Sequence, residues 1–207
     1  MKTSIIRLTG ILLALPLTFA SHAYELGGGF EVEGEYAGNF NQSNTDPVSD
    51  VAATVGANFN ITHAGPVLDL VGIGNASYTE YVDDSFDPQW FLDSQISAVW
   101  RLTDSLVWNA DNQSNQVRID PLDVDIPSNI ENQNFLSTGP EWVASLGTVN
   151  TFTLGGTYVL NSFSESEADN TRVGGYAQLR RLVRPSLALS VNGRYEETEF
   201  DNPLVSP

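Results

Sequence analysis

Carboxylates recur at every second residue early in the chain, where Glu31, Glu33 and Glu35 alternate with Phe30, Val32, Gly34 and Tyr36. Side chains of a β-strand alternate between faces with period 2, so this spacing puts three acids on one face and apolar groups on the other. The same parity assigns Asp69, Asp93, Asp111 and Glu141 to the acidic face of later segments, with Arg172, Arg180 and Arg194 as the cations among them. A wall of carboxylates facing water attracts cations, as acid rings do in cation-selective pores. The plainer alternative is a hydrated wall held by Arg–carboxylate pairs without selectivity. Catalytic chemistry finds no comparable pattern. A nucleophile needs a base to activate it, and the only histidine after residue 23 is His63, beside Ala64-Gly65-Pro66. With no cysteine and no Gly-x-Ser-x-Gly, the chain offers neither a triad nor a metal cluster, and no cofactor is expected. We read it as non-enzymatic.

The acids need strands to position them, and the clearest is a hairpin over Leu92–Ala110. Leu92, Ser94, Ile96, Ala98, Trp100 and Leu102 fall on one face, Asp93, Gln95, Ser97 and Val99 on the other. After Thr103-Asp104-Ser105 the alternation restarts with Leu106, Trp108 and Ala110. Similar alternation predicts strands near 30–40, 51–62, 68–81, 136–146, 151–162, 172–182 and 187–196, nine in all with the hairpin. The parity is least clear at 68–81, where Val71 and Ile73 oppose Leu68 and Leu70. No run after residue 23 has the 18 or so apolar residues of a membrane helix.

The first 23 residues read as a cleaved export signal, with Lys2 and Arg7 ahead of the apolar run 11–20 and Ser21-His22-Ala23 as the cleavage site. The domain is therefore expected over 24–207. The whole chain has a net charge of −17, and losing Lys2 and Arg7 leaves arginine as the only strong cation. Such acidity argues against nucleic acid or anionic lipid as a partner for a basic patch. Lacking cysteine in an oxidising compartment, the fold must be held by something other than disulfides.

Connections alternate in length. Those at 41–50, 82–89, 117–131, 163–170 and from Glu197 on are long and acidic; those at 64–66, 103–104, 147–150 and 183–185 are short. Short turns at one end and long loops at the other mark outer-membrane barrels, with the turns periplasmic. Trp100, Trp108, Trp142, Tyr158 and Tyr195 sit on the apolar face, several near strand ends where rings settle among lipid headgroups. The expected fold is an all-β, antiparallel, up-and-down transmembrane barrel in a Gram-negative outer membrane. The alternative is a soluble secreted β-sandwich acting as an adhesin or carbohydrate-binding module. Loop acids at 83, 84 and 87, at 120, 123 and 125, at 165, 167 and 169 and at 196, 197 and 199 form a solvated rim, or a calcium site if they converge. Arg180, Arg181 and Arg184 flank a short turn, where they meet water, headgroup phosphates or a periplasmic partner.

Trp90-Phe-Leu-Asp-Ser-Gln-Ile-Ser-Ala-Val-Trp100, Ser-Thr-Gly-Pro-Glu-Trp at 137–142, Leu-Arg-Arg-Leu-Val-Arg-Pro-Ser-Leu at 179–187 and Gly-Glu-Tyr-Ala-Gly-Asn at 34–39 carry a further signal. In these segments the chain resembles the outer-membrane β-barrel proteins associated with the PEP-CTERM exosortase and exopolysaccharide system. The resemblance implies a porin-like barrel, with membrane lipid and exopolysaccharide or export machinery as partners. Bacterial single-chain barrels have even strand numbers, so nine strands ending at Asn202-Pro-Leu-Val-Ser-Pro207 are expected to be the front part of a larger barrel, the alternative being that the segment at 68–81 or 172–182 is not a strand. N-terminal sequencing of exported protein should read Tyr-Glu-Leu from Tyr24; a start at Met1 would remove the export signal.

Overall fold

The structure, a computed structural model, describes residues 6–10, 24–124 and 126–201. Apart from 6–10, the expected leader and its cleavage site lie outside these residues. Among them there is no α-helix; one antiparallel sheet takes in every strand, in chain order. The strands are β1 (Ile6–Gly10), β2 (Glu25–Ala37), β3 (Asp50–Ala64), β4 (Leu68–Tyr81), β5 (Gln89–Arg101), β6 (Leu106–Arg118), β7 (Ile130–Leu146), β8 (Asn150–Phe163), β9 (Asn170–Arg184) and β10 (Leu187–Phe200). The nine from Glu25 on correspond to the nine expected. β1 pairs with Val32–Tyr36 at one edge of the sheet, and β10 forms the other edge.

Every strand lies beside its chain neighbours, and among the described residues no second layer packs across a core. Buried apolar side chains are accordingly few, namely Ala37, Ala52, Tyr81 and Val159. Backbone ladders hold the sheet together, which makes register its main structural variable. In antiparallel pairs, directly opposed residues share a face, so each face can be followed across the sheet. One row runs Leu68–Trp100–Trp108–Pro140. The 68–81 ambiguity resolves the same way: Leu70 opposes Ala98 on the tryptophan face, whereas Val71 and Ile73 oppose Ser97 and Gln95 on the acid face.

Several expected boundaries shift: the strand expected at 30–40 runs Glu25–Ala37, so the loop that follows it begins at Gly38. The loop expected at 117–131 shrinks to 119–129, because β6 continues to Arg118 and β7 starts at Ile130. Asn112, Ser114, Asn132 and Asn134 make both faces polar there, which erases the alternation while the ladder continues. Likewise Glu197 and Glu199, expected in a loop, lie in β10.

Beyond Ser94↔Ser114, β5 loses β6 as its ladder partner. Asn132 of β7 replaces it: its Oδ1 accepts from the Leu92 amide at 3.3 Å and its Nδ2 donates to the Trp90 carbonyl at 2.6 Å. One carboxamide thereby does for the β5 edge what a backbone residue would.

Proline interrupts a second ladder. Pairing of β7 with β8 passes from Thr138↔Tyr158 to Glu141↔Gly155, skipping Gly139 and Pro140. Pro140 has no N–H to donate, and the chains close up at the gap, where a Cβ on Gly139 would lie 2.0 Å from the Gly156 carbonyl oxygen. Backbone cannot swing away as a side chain would. Gly139→Ala should therefore cost about 1–3 kcal/mol or more, read by urea unfolding. Gly34→Ala, with nothing within 4 Å of its Cβ position, should be near neutral. Equal effects would show that the close approach is not a constraint.

Candidate functional site

All seven sequence-identified acids fall on one face. Glu31, Glu33 and Glu35 oppose Gly56, Thr54 and Ala52. Asp69 opposes Val99, Asp93 opposes Asn75, Asp111 lies between Ser97 and Ser137, and Glu141 lies between Val107 and Gly155. Arg172, Arg180 and Arg194 join the same face opposite Val159, Thr151 and Tyr176. The seven acids run from β2 to β7 and these three arginines stand on β9 and β10, while Arg101 of β5 and Glu196 of β10 share the same face.

Three of the acids are held by local partners. Asp69 forms an ion pair with Arg101 and accepts from the Gly65 amide at 3.2 Å, beside a short turn. Asp111 accepts from the Ser97 hydroxyl at 2.6 Å. Glu141 accepts from the Tyr176 hydroxyl, and the Tyr176 ring lies over Gly155, where a Cβ would collide with it. At the β9–β10 end, Glu196 takes both Arg172 and Arg194, and Arg172 also lies 5.9 Å from the Phe135 ring centroid.

The five sequence-identified aromatics occupy the opposite face. Trp100 pairs with Trp108, Trp142 with Leu106, Tyr158 with Thr138, and Tyr195 with Gly175. Trp142 meets Phe152 edge-on at 6.1 Å. The Trp108 indole N–H donates to the Thr138 hydroxyl at 2.7 Å. Sequence reasoning missed a second aromatic group near the long-loop end. There Tyr78 and Trp90 oppose each other on this face with ring centroids 4.8 Å apart, and Tyr36 lies beyond them on β2. Between the groups the face is mostly aliphatic and exposed; Val32 is 60% and Val191 76% accessible. Three of its polar members bond one another, with Asn134 Oδ1 accepting from Asn112 Nδ2 at 2.9 Å and from Ser114 Oγ at 2.8 Å.

The long loops are anchored at their bases by groups that looked like ordinary loop polars. Asp50, 1% exposed, accepts from the amides of Val51, Asp83 and Ser85 and from the Ser85 hydroxyl, fixing the β4–β5 connection. Glu131, 3% exposed, accepts from the Glu165 and Ser166 amides at 3.0 and 2.8 Å. Asn129 closes 120–124 through its bonds to Asp120 and Val124. Phe40 and Phe86 pack against Tyr81 beside them, at centroid distances of 5.7 and 5.2 Å.

Loop acids serve the backbone instead of converging. Asp120, Asp123 and Asp169 accept from the Leu122, Val124 and Phe163 amides. Among the described residues no three acids or histidines are grouped to hold a metal; Asp125 lies outside them. His63 stacks on Tyr24 at 4.1 Å near a short turn. Of the turn arginines, Arg180 is on the acid face, Arg181 opposes Leu189 on the other, and Arg184 opposes Leu187 at the turn. Comparison with protein-family models, curated proteins and solved structures gives no match, so the geometry of the two faces carries the functional argument.

Asp50 lies outside the apolar band, past the Tyr36↔Val51 row. Burial alone raises its pKa, but the Ser85 hydroxyl and the amides of Asp83, Val51 and Ser85 outweigh this and hold it below the ordinary 3.8. A depressed carboxylate pKa stabilises the fold above the unfolded value, and that contribution disappears as pH falls through the folded one. Asp50→Asn should cost about 2 kcal/mol at neutral pH. The gap to wild type should be full above about pH 5 and shrink below 3.8. A gap independent of pH would show that the charge does not hold the loop.

Proposed function

We propose that the chain forms the wall of a transmembrane β-barrel in a Gram-negative outer membrane, porin-like and non-enzymatic, with its acid-bearing face toward a water-filled, cation-favouring lumen. The observation that carries this reading is the pair of aromatic groups on one face. Trp90 and Trp100 stand ten residues apart on β5. At about 3.3 Å per residue and a tilt of roughly 40°, that separation spans about 25 Å of membrane normal, the height of the apolar band in outer-membrane barrels.

The single layer supports the same reading. In water, an exposed face bearing Phe30, Val32, Val55, Val173, Leu189 and Val191 would form a contiguous apolar patch with nothing to bury it. Lipid covers such a face without a second protein layer. Open edges are not tolerated in hydrocarbon, so β2 and β10 must find partners, either each other or further strands of a longer barrel. Removal of the leader would free the length of β2 that β1 covers. The short-turn end then faces the periplasm and the anchored loops face outward. The resemblance to PEP-CTERM-associated barrels adds a setting, service to exopolysaccharide or surface-protein export.

Purified protein should need detergent and migrate differently on gels with and without heating. In planar bilayers under a salt gradient, the reversal potential should have the sign of cation preference. Replacing Glu31, Glu33 and Glu35 together by Gln should move it toward zero. An anion-selective potential overturns the cation assignment, and folded protein without conductance leaves a structural role in export.

A further inference from the structure

We infer that the acid-bearing face carries a binding subsite for an uncharged, hydroxyl-rich solute, of the class of a neutral saccharide, on strands β3 to β6. The inference rests on the barrel reading only in placing that face toward a lumen. A cavity of about 450 Å³ opens here, within the range of small-molecule sites. Its polar wall is two adjacent rows of the sheet. Asn58, Asn75 and Asp93 oppose one another in the first; Asn60, Ile73, Gln95 and Gln113 do so in the second. Neighbouring members of a row stand about 4.8 Å apart.

None of the six polar side chains hydrogen-bonds to another described residue. Other amides of the sheet, among them Asn112, Asn132 and Asn134, are fixed by partners. Donors and acceptors along the two rows are therefore uncommitted and face one space.

Their chemistry selects among ligands. Five carboxamides present N–H donors and C=O acceptors in equal measure, and a hydroxyl both donates and accepts at one atom. A cation would use only the oxygens and leave ten N–H bonds, two per amide, unanswered. An anion would meet Asp93, while the arginines of this face stand on β5 beside Asp69 and on β9 and β10. Ile73, 58% exposed between polar neighbours, offers the C–H face of a sugar ring an apolar contact.

The test is calorimetric titration of the full chain, folded in detergent micelles and shown to be folded by heat-modifiable migration. The titrants are three neutral hexasaccharides (maltohexaose, cellohexaose and chitohexaose), an acidic one (hexagalacturonate) and calcium chloride. At least one neutral oligosaccharide should saturate, and the acidic one should bind more weakly. Asn75→Leu and Gln95→Leu should each weaken binding by about tenfold or more, since a site built for hydroxyls suffers when its polar groups are lost. Asp93→Asn should keep neutral binding within a few-fold and strengthen acidic binding. Thr153→Val, on β8 away from the rows, should change nothing. Folded protein that binds none of the neutral sugars, or Asn75→Leu and Gln95→Leu variants that bind as wild type does, overturns the inference. So does calcium binding abolished by Asp93→Asn without sugar binding, which would give the rows to cations. Protein that stays soluble without detergent yet binds sugar overturns the membrane reading and supports the subsite.

Discussion

The continuous backbone ladder is what everything else here depends on. From Glu25 to Phe200 each strand is held by the N–H and C=O groups of its neighbours, and almost no apolar side chain is buried. A sheet without a core cannot rely on packing to correct its register. A slip of one residue would exchange its two faces, bringing Glu33 to the side of Val32 and Trp108 to the side of Asp111. Register must come from local fits instead: Phe59 against Gly74, Tyr176 against Gly155, and the gap at Gly139 and Pro140. Where the ladder fails, as along β5 past Ser94, a side chain replaces it.

Given that register, the two faces separate by chemistry. One collects most of the carboxylates, amides and hydroxyls, the other most of the aromatic rings, although Glu80, Glu197 and Glu199 stand on the aromatic face and Val71, Ile73, Phe91 and Phe135 on the acid face. Some polar groups on the aromatic face are paired among themselves, as with Asn112, Ser114 and Asn134 or Trp108 and Thr138. Such pairing lowers the penalty of placing them against an apolar medium. Several polar groups of the acid face have no such partners.

At the long-loop end the constraint changes from register to anchoring. Asp50 and Glu131 are nearly inaccessible, and their negative charge is balanced by converging N–H groups. Hydrogen bonds to an ionised acceptor are stronger than neutral ones, so one carboxylate can fix a whole connection without disulfides. With Phe40, Tyr81 and Phe86 packed together, these anchors give the loops a defined start.

Period-2 alternation was enough to separate the faces, because side-chain direction in a strand follows from position alone. That is why Glu31, Asp93 and Glu141 could be grouped, and Trp100, Trp108 and Tyr195 opposed to them, without coordinates. Alternation fell silent where both faces are polar, which shortened the expected β6 and β7, and where both are apolar, as at Val71 and Ile73. Anchors were equally hidden, since nothing local distinguishes Asp50 from Asp46 or Glu131 from Glu165. What makes them different is which amides arrive from another part of the chain. The same holds for Asn58, Asn75 and Asp93, which are far apart in sequence and become one row only through the register of three strands. Sequence by itself determined the face on which each side chain stands, because that is a property of the local backbone. Only the tertiary structure decided which residues meet across the sheet, because that depends on hydrogen bonds between strands.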